Sequence, residues 1–239
     1  MTRRLHTYDP PLVRGRLLRR YKRFLADVRL DDGREVLAHC ASPGAMTGLA
    51  EPESVVWLAP VVGRKLDWSW KLATDGGVLA GFDGVLSNRL VADAVSRGWV
   101  PELSGYAELR REVPAGPGTR VDLGLSGHAD DARDCLVEVK TVTMGGADGV
   151  VRFPDAPTER GRKHLATLAA LAGAGHRAVL VFVAQRADAQ AVAPAREVDA
   201  AYADALVAAA DAGVELLALA VHPSPAGLDL AGPLPVVSG

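Results

Sequence analysis

TRVDLGLSGHADDARDCLVEVKTV, residues 119–142, decides the reading of the C-terminal half of this 239-residue chain. In its first part Val121, Leu123 and Leu125 alternate with Arg120, Asp122 and Gly124. That is the period of two of a half-buried strand, so Asp122 faces away from the apolar side. In its last part Val137 and Val139 share one face, and Glu138 and Lys140 share the other. The stretch between them, SGHADDARD, is polar enough for a surface loop. A hairpin would therefore bring Asp122 beside Glu138 and Lys140. Two carboxylates are hard oxygen ligands suited to Mg²⁺ or Mn²⁺, ions that usually keep several waters. A lysine beside them can orient an attacking water or neutralise charge developing on a phosphate.

Working outward, NRLVADAVSR (residues 88–97) has helical spacing before the hairpin, and residues 106–113 read as a strand. After the hairpin, ERGRKHLATLAALAGAG (159–175) reads as a helix stopped by Gly173 and Gly175. The continuous apolar run AVLVFVA (178–184) is the mark of a buried strand. A second Ala-rich helix (200–213) and a last strand (214–222) follow, and the Pro/Gly-rich tail from Pro223 reads as irregular. The order α-β-β-β-α-β-α-β predicts an α/β domain with a mixed central sheet over residues 82–239.

Residues 1–81 read differently. RLLRRYKRFLADVRL (16–30) reads as one long strand, followed by a hairpin at Asp32-Gly33 and by REVLAHC (34–40). SVVWLAPV (54–61), LDWSWKLAT (66–74) and GVLAGF (77–82) complete five strand candidates with no long helix. Five strands at this spacing suit a small barrel of the OB type, so the whole chain is α+β. Trp68 and Trp70 lie two apart on one strand face, placed either to stack bases or to cover the barrel core.

Composition narrows the function. The formal net charge is −2, yet residues 1–30 hold nine Lys/Arg against two acids, so that segment is +7 and the rest −9. Arg14, Arg16, Arg19, Arg20, Lys22 and Arg23 form a basic strip, the electrostatic footprint of a phosphate-backbone partner, here DNA, duplex or single-stranded. No apolar run reaches the roughly 18 residues of a membrane span, and the N-terminus has no apolar core of a secretory signal. Cys40 and Cys135 make no CxxC, so both read as buried thiols in a reducing cytoplasm. The motifs of P-loop NTPases, dinucleotide-binding folds and α/β-hydrolases are absent, and the histidines lack zinc-ligand spacing.

The Asp…(Glu-x-Lys) pattern, in its helix–three strands–helix–strand setting, resembles the PD-(D/E)XK nuclease superfamily. RGRLLRRYKRFLADV, AHC..PGAM, SNRLV, TRVDLGL, VEVKTVT, FPDAPTERGRKHL and GHRAVLVFV, spread over nearly the whole chain, resemble the sugar fermentation stimulation protein A family. That resemblance implies a DNA-binding OB-like N-terminal domain and a nuclease-like C-terminal domain. It implies Mg²⁺-dependent hydrolysis of DNA phosphodiesters, with Asp122 and Glu138 holding the metal, the Val139 carbonyl as a further ligand, and Lys140 assisting catalysis. Asp93 on the first helix stands where the superfamily often places a third acid. Arg160, Lys163 and His164 open the helix after the triplet, with Arg160 and Lys163 as supporting residues aimed at a phosphate. Two departures stand out: Thr141 where relatives often have Asn, and Ala41-Ser42-Pro43-Gly44-Ala45-Met46 after Cys40. The second reading is a non-catalytic DNA-binding regulator of sugar (maltose-type) metabolism genes. A small-molecule module rests on the family's name alone. The oligomeric state stays open, a homodimer included.

Overall fold

The computed structural model describes residues 3–42, 44–116, 118–146 and 148–237. Pro43, in the loop after Cys40, lies outside them. The N-terminal strands are β1 (Arg3–Thr7), β2 (Val13–Tyr21), β3 (Leu25–Leu30), β4 (Glu35–Cys40), β5 (Val55–Pro60), β6 (Trp68–Asp75) and β7 (Val78–Gly81). Strands β2 to β6 run in the order β4-β3-β2-β5-β6, and a parallel β4–β6 pairing closes them into the five-stranded barrel. The seal needs alternate side chains pointing inward, and Leu17, Val28, Leu30, Val56, Leu58 and Trp70 do so as one buried cluster.

Three expectations change here. RLLRRYKRFLADVRL is a hairpin, not one strand: the chain reverses at Lys22-Arg23-Phe24 between β2 and β3. Lys22 and Arg23 both take left-handed φ, 48° and 63°, with no Gly, Asn or Pro to announce the turn. Trp70 is fully buried, donates Nε1–H to the Leu72 carbonyl at 2.8 Å and packs edge-on against Phe82, so it fills the barrel and stacks no base. Trp68 is half-buried against the same cluster. And β1 does not belong to the barrel, because it pairs with the last strand of the C-terminal sheet.

The C-terminal elements are α1 (Gly84–Ser96), β8 (Glu108–Pro114), β9 (Arg120–Ser126), β10 (Cys135–Val142), β11 (Val150–Phe153), α2 (Glu159–Gly173), β12 (Arg177–Ala184), β13 (Ala191–Pro194), α3 (Ala200–Asp211), β14 (Glu215–Ser224) and β15 (Gly227–Leu234). The seven-stranded sheet runs β1-β15-β14-β12-β10-β9-β8, with β10, β12 and β14 parallel. Val137, Val139, Val181 and Val183 pack with Leu90 and Val91 of α1. Leu136, Val142, Leu180 and Phe182 pack on the opposite side with Leu165, Tyr202 and Leu206 of α2 and α3. The centre is thus covered on both faces, as parallel strands require. The tail read as irregular is β15, whose Leu228 and Leu230 are buried; Pro233 falls beyond the end of β1, where its missing N–H breaks no outer ladder.

The barrel and sheet are locked together. The Arg186 guanidinium, side chain 3% exposed, reaches Asp75 of β6 and Asp188, each at 2.9 Å, and the Thr143 carbonyl at 3.3 Å. The Gly81 N–H donates to the Gln185 carbonyl at 2.9 Å. These bonds fix the barrel over the end of β10 that carries Glu138 and Lys140.

Candidate metal centre and its cleft

Strands β9 and β10 pair only from Cys135↔Leu125 to Val137↔Leu123. Beyond that they part, and Asp122 fills the gap. Its Oδ2 accepts the Val139 N–H at 2.8 Å, taking the place of a ladder carbonyl. In a strand the N–H and C=O of one residue point the same way, so the Val139 carbonyl also faces this gap. Asp122 Oδ1 accepts from Asn88 Nδ2 on α1. That helix is set by its N-cap Asp83, which accepts from Leu86 N–H at 3.0 Å and holds Lys71 at 2.9 Å.

Glu138 and Lys140 share a face of β10, as the alternation requires, but that face is roofed by α2. Glu138 is 3% exposed. Its Oε1 accepts from Lys140 Nζ at 2.5 Å and from His164 Nδ1 of α2. An ionised carboxylate only accepts, so Nδ1 carries the hydrogen; Arg160 Nε, one helical turn earlier, donates to Nε2 at 3.3 Å. The start of α2 is pinned by Thr158 Oγ1, which accepts from Gly161 N–H at 3.0 Å, and by Asp199, which accepts from Thr158 N–H at 2.8 Å. Burial, then the Glu138 charge, push the Asp122 carboxyl up to about 6. Burial also works to raise Glu138, but the His164 hydrogen bond and the Lys140 charge overturn it and leave that carboxyl below its ordinary range. The Glu138 charge thus reaches Asp122 at an electrostatic cost that a cation would relieve. Among the described residues no three of His, Cys, Asp and Glu are grouped as a metal site. The donor set is two carboxylates and a carbonyl, which fits a hard ion that keeps waters rather than zinc.

The site opens into a cleft of about 1120 Å³ between barrel and sheet, lined among others by Arg23, Ser42, Gly44, Asn88, Phe153 and Arg160. Its barrel-side lip is the loop after Cys40. Arg20 gathers that loop by donating to the carbonyls of Ser42 at 3.0 Å, Gly44 at 2.9 Å and Ala45 at 3.2 Å. Across the cleft Asp155 accepts the Met46 N–H at 2.9 Å and lies so close to Gly44 that a Cβ there would meet its Oδ1 at 2.5 Å. Thr141, the departure after the triplet, turns to α1 and donates to Ser87 Oγ at 2.6 Å.

The structure brings together Asp122, Glu138, Val139 and Lys140, with Arg160 one residue removed. It does not bring Asp93, which is exposed on α1 and outside the cleft lining; Asn88 holds the helix position facing Asp122. Lys163 lies at the rim with its side chain 73% exposed, paired with Glu159 at 2.9 Å. The basic strip is largely spent within the barrel: Arg14 on Asp31 at 3.0 Å, Arg16 on the Glu53 carbonyl at 2.9 Å, Arg19 on Asp27 at 2.6 Å, and Arg20 on its loop. Lys22 and Arg23 stand at the hairpin turn, and Arg23 lines the cleft. Sequence reasoning missed Asn88 and the contact of His164 with Glu138. The 160/164 spacing, one helical turn, was the available signal for the second.

No helix among the described residues is long and apolar enough to cross a membrane. Two family profiles match the chain: the sugar fermentation stimulation protein RE domain over residues 85–227 and the SfsA N-terminal OB domain over residues 18–82. A sugar fermentation stimulation protein homolog of Paramagnetospirillum magneticum is 48% identical over 229 residues, covering 95% of this chain and 96% of the relative. One of Ruegeria pomeroyi is 45% identical over 227 residues, covering 94% and 98%. The structure of Pyrococcus furiosus SfsA in complex with Ca²⁺ superposes with a TM-score of 0.87 at 28% identity, over 95% of this chain and 96% of that one.

Proposed function

The chain belongs to the sugar fermentation stimulation protein family, and from that premise we propose that it binds DNA and hydrolyses phosphodiesters with Mg²⁺ or Mn²⁺. The observation that carries this reading is the parting of β9 and β10, where Asp122 takes the Val139 N–H and lines one cleft with Glu138, Val139 and Lys140. The family relative solved in complex with Ca²⁺ supports a divalent ion in this architecture. Asp122, Glu138 and the Val139 carbonyl would hold the ion, which supplies Lewis-acid charge to a phosphate oxygen when bound. The buried His164 hydrogen bond keeps Glu138 ionised and oriented. Asn88 does the same for Asp122. Lys140, the cation nearest both the carboxylates and the open cleft, neutralises charge as it develops on the phosphate and orients the attacking water. Arg160 holds the His164 ring and lines the cleft that a DNA strand would enter.

Turnover is the test, because a regulator would also bind DNA. Wild type is expected to cleave at least one of duplex, single-stranded, flap or branched DNA in Mg²⁺ or Mn²⁺. Lys140→Ala should keep DNA binding and metal binding while cleavage falls on the order of 10²- to 10³-fold. A metal-loaded wild type inert on the whole panel overturns the nuclease reading in favour of a non-catalytic DNA-binding regulator, with Lys140 an ion-pair partner of Glu138.

A further inference from the structure

Among the described residues Phe24 is the sole aromatic side chain among the well-exposed large hydrophobics, 43% exposed at the tip of the β2–β3 hairpin. Its ring lies parallel to that of His39 on β4, planes within 7° and centroids 6.4 Å apart. His39 is itself exposed, because Ala38 and Cys40 take the inward positions of its strand. The Arg23 guanidinium stands over the Phe24 ring, 5.9 Å from its centroid. Tyr21 is on the same outer face, covered by Arg19 at 4.7 Å. Asp27, the acid on this end of the hairpin, is held by Arg19 and the Tyr21 hydroxyl. A flat aromatic pair is therefore flanked by the side chains of two cationic residues, Lys22 and Arg23.

The turn that presents these groups is itself out of keeping with its sequence. Left-handed φ at two successive positions favours Asn-Gly, and a side chain there costs about 1 to 2 kcal/mol per residue. Lys22 and Arg23 occupy both positions. Such strain persists where the side chains do work that a glycine could not. The tip adjoins the cleft, since Arg23 and Ser42 belong to its lining.

We propose that Phe24 and His39, with Lys22 and Arg23, form a stacking platform for unpaired bases, and that the chain takes single-stranded DNA over this platform into the cleft. The inference rests on the DNA-binding part of the reading above and not on its chemistry. Duplex bases show no free faces, so a stacking platform discriminates by strandedness, whereas phosphate contacts do not.

The test is fluorescence anisotropy in EDTA, where the metal site plays no part, with a single-stranded oligonucleotide of about 15 nucleotides and a duplex of the same length. Phe24→Ala, at an exposed position, should leave thermal stability unchanged and weaken single-strand affinity about 5- to 100-fold, with duplex affinity moved less than twofold. Phe24→Trp should retain single-strand affinity. The platform is overturned by a Phe24→Ala variant that binds single strands as wild type does, or that loses both forms equally. It is also overturned if light scattering shows that this substitution dissolves a dimer without touching oligonucleotide binding, which would make a second copy the occupant. Wild type binding neither form would remove the DNA reading and this inference together. Binding with no Phe24 dependence removes only the inference.

Discussion

Replacing Asp122 by Asn should make the metal-free protein more stable, not less, at neutral pH. The Asp122 carboxyl sits at about 6 against an ordinary 3.8, first from burial and then from the Glu138 charge. Ionising it in the folded protein therefore costs on the order of 3 kcal/mol as an upper bound. Asparagine keeps an oxygen for the Val139 N–H, and the Asn88 amide can turn over to offer its own oxygen to the new NH₂. Allowing for imperfect rearrangement, the gain is about 1 to 3 kcal/mol, a rise of about 3 to 8 °C in a domain of this size. The sign follows from proton counts. Between 3.8 and about 6 the folded wild type holds a proton that the unfolded chain has lost, so its stability falls as pH rises through that window. The variant has no such group, so its advantage is full above about pH 6 and vanishes toward the lower value. Metal reverses the order: Mn²⁺ at a thousandfold excess over its Kd adds about 4.1 kcal/mol to wild type and little to the variant. Thermal unfolding at about pH 4.5 and about pH 7.5, each in EDTA and in Mn²⁺, reads all four states. A variant less stable than wild type at the higher pH in EDTA would refute the reasoning. It would mean that the hydrogen bonds from Val139 and Asn88 outweigh the charge, making Asp122 a structural anchor.

His164→Gln should weaken Mn²⁺ binding about 10- to 100-fold by calorimetry, because Glu138 loses the hydrogen bond that orients it; unchanged affinity would leave His164 only a packing role. Neutralising Lys22 and Arg23 together should lower the log–log salt slope of single-strand binding by about 1.4, at about 0.7 per phosphate contact, while neutralising Arg14, Arg16 and Arg19 leaves it unchanged; the reverse outcome would return the interface to the barrel's side. Arg186→Met should cost about 3 to 5 kcal/mol in urea unfolding, since it strands Asp75 and Asp188 at the joint between barrel and sheet, and a loss below about 1 kcal/mol would show that the joint does not depend on this ion pair.

The core of the site was legible because a strand's period of two is rigid. Once CLVEVKTV is a strand, Glu138 and Lys140 must share a face, and no tertiary information alters that. Asp122 needed one further step, the antiparallel neighbour, which the polar connection supplied. What covers that face was not legible: α2 was foreseen as a helix, but its docking on β10 puts His164 on Glu138 while its neighbour Lys163 points to solvent. A helix spreads consecutive residues by about 100°, so which of Arg160, Lys163 and His164 reaches the strand is set by packing of Leu165 and Leu168 beneath it. The same reasoning explains Asp93 and Asn88. They lie five apart on α1, on different faces, and a resemblance that points to an acid selects Asp93, although packing turns Asn88 toward Asp122.

The basic strip shows the opposite failure. Net charge sums residues regardless of partners, whereas a hairpin folds a sequence back on itself. Reading residues 16–30 as one strand left Arg19 and Asp27 far apart; the turn at Lys22-Arg23 makes them a cross-strand pair. Missing the turn therefore overcounted the cations available to DNA, and also hid that the two at the reversal differ from the rest. Along β2, Arg14, Arg16 and Arg19 lie beside acids and carbonyls of neighbouring strands, as strand residues must. Lys22 and Arg23 lie past the end of the ladder, at the reversal itself, and so the hairpin that sets Arg19 against Asp27 is also what sets Arg23 in the lining of the cleft.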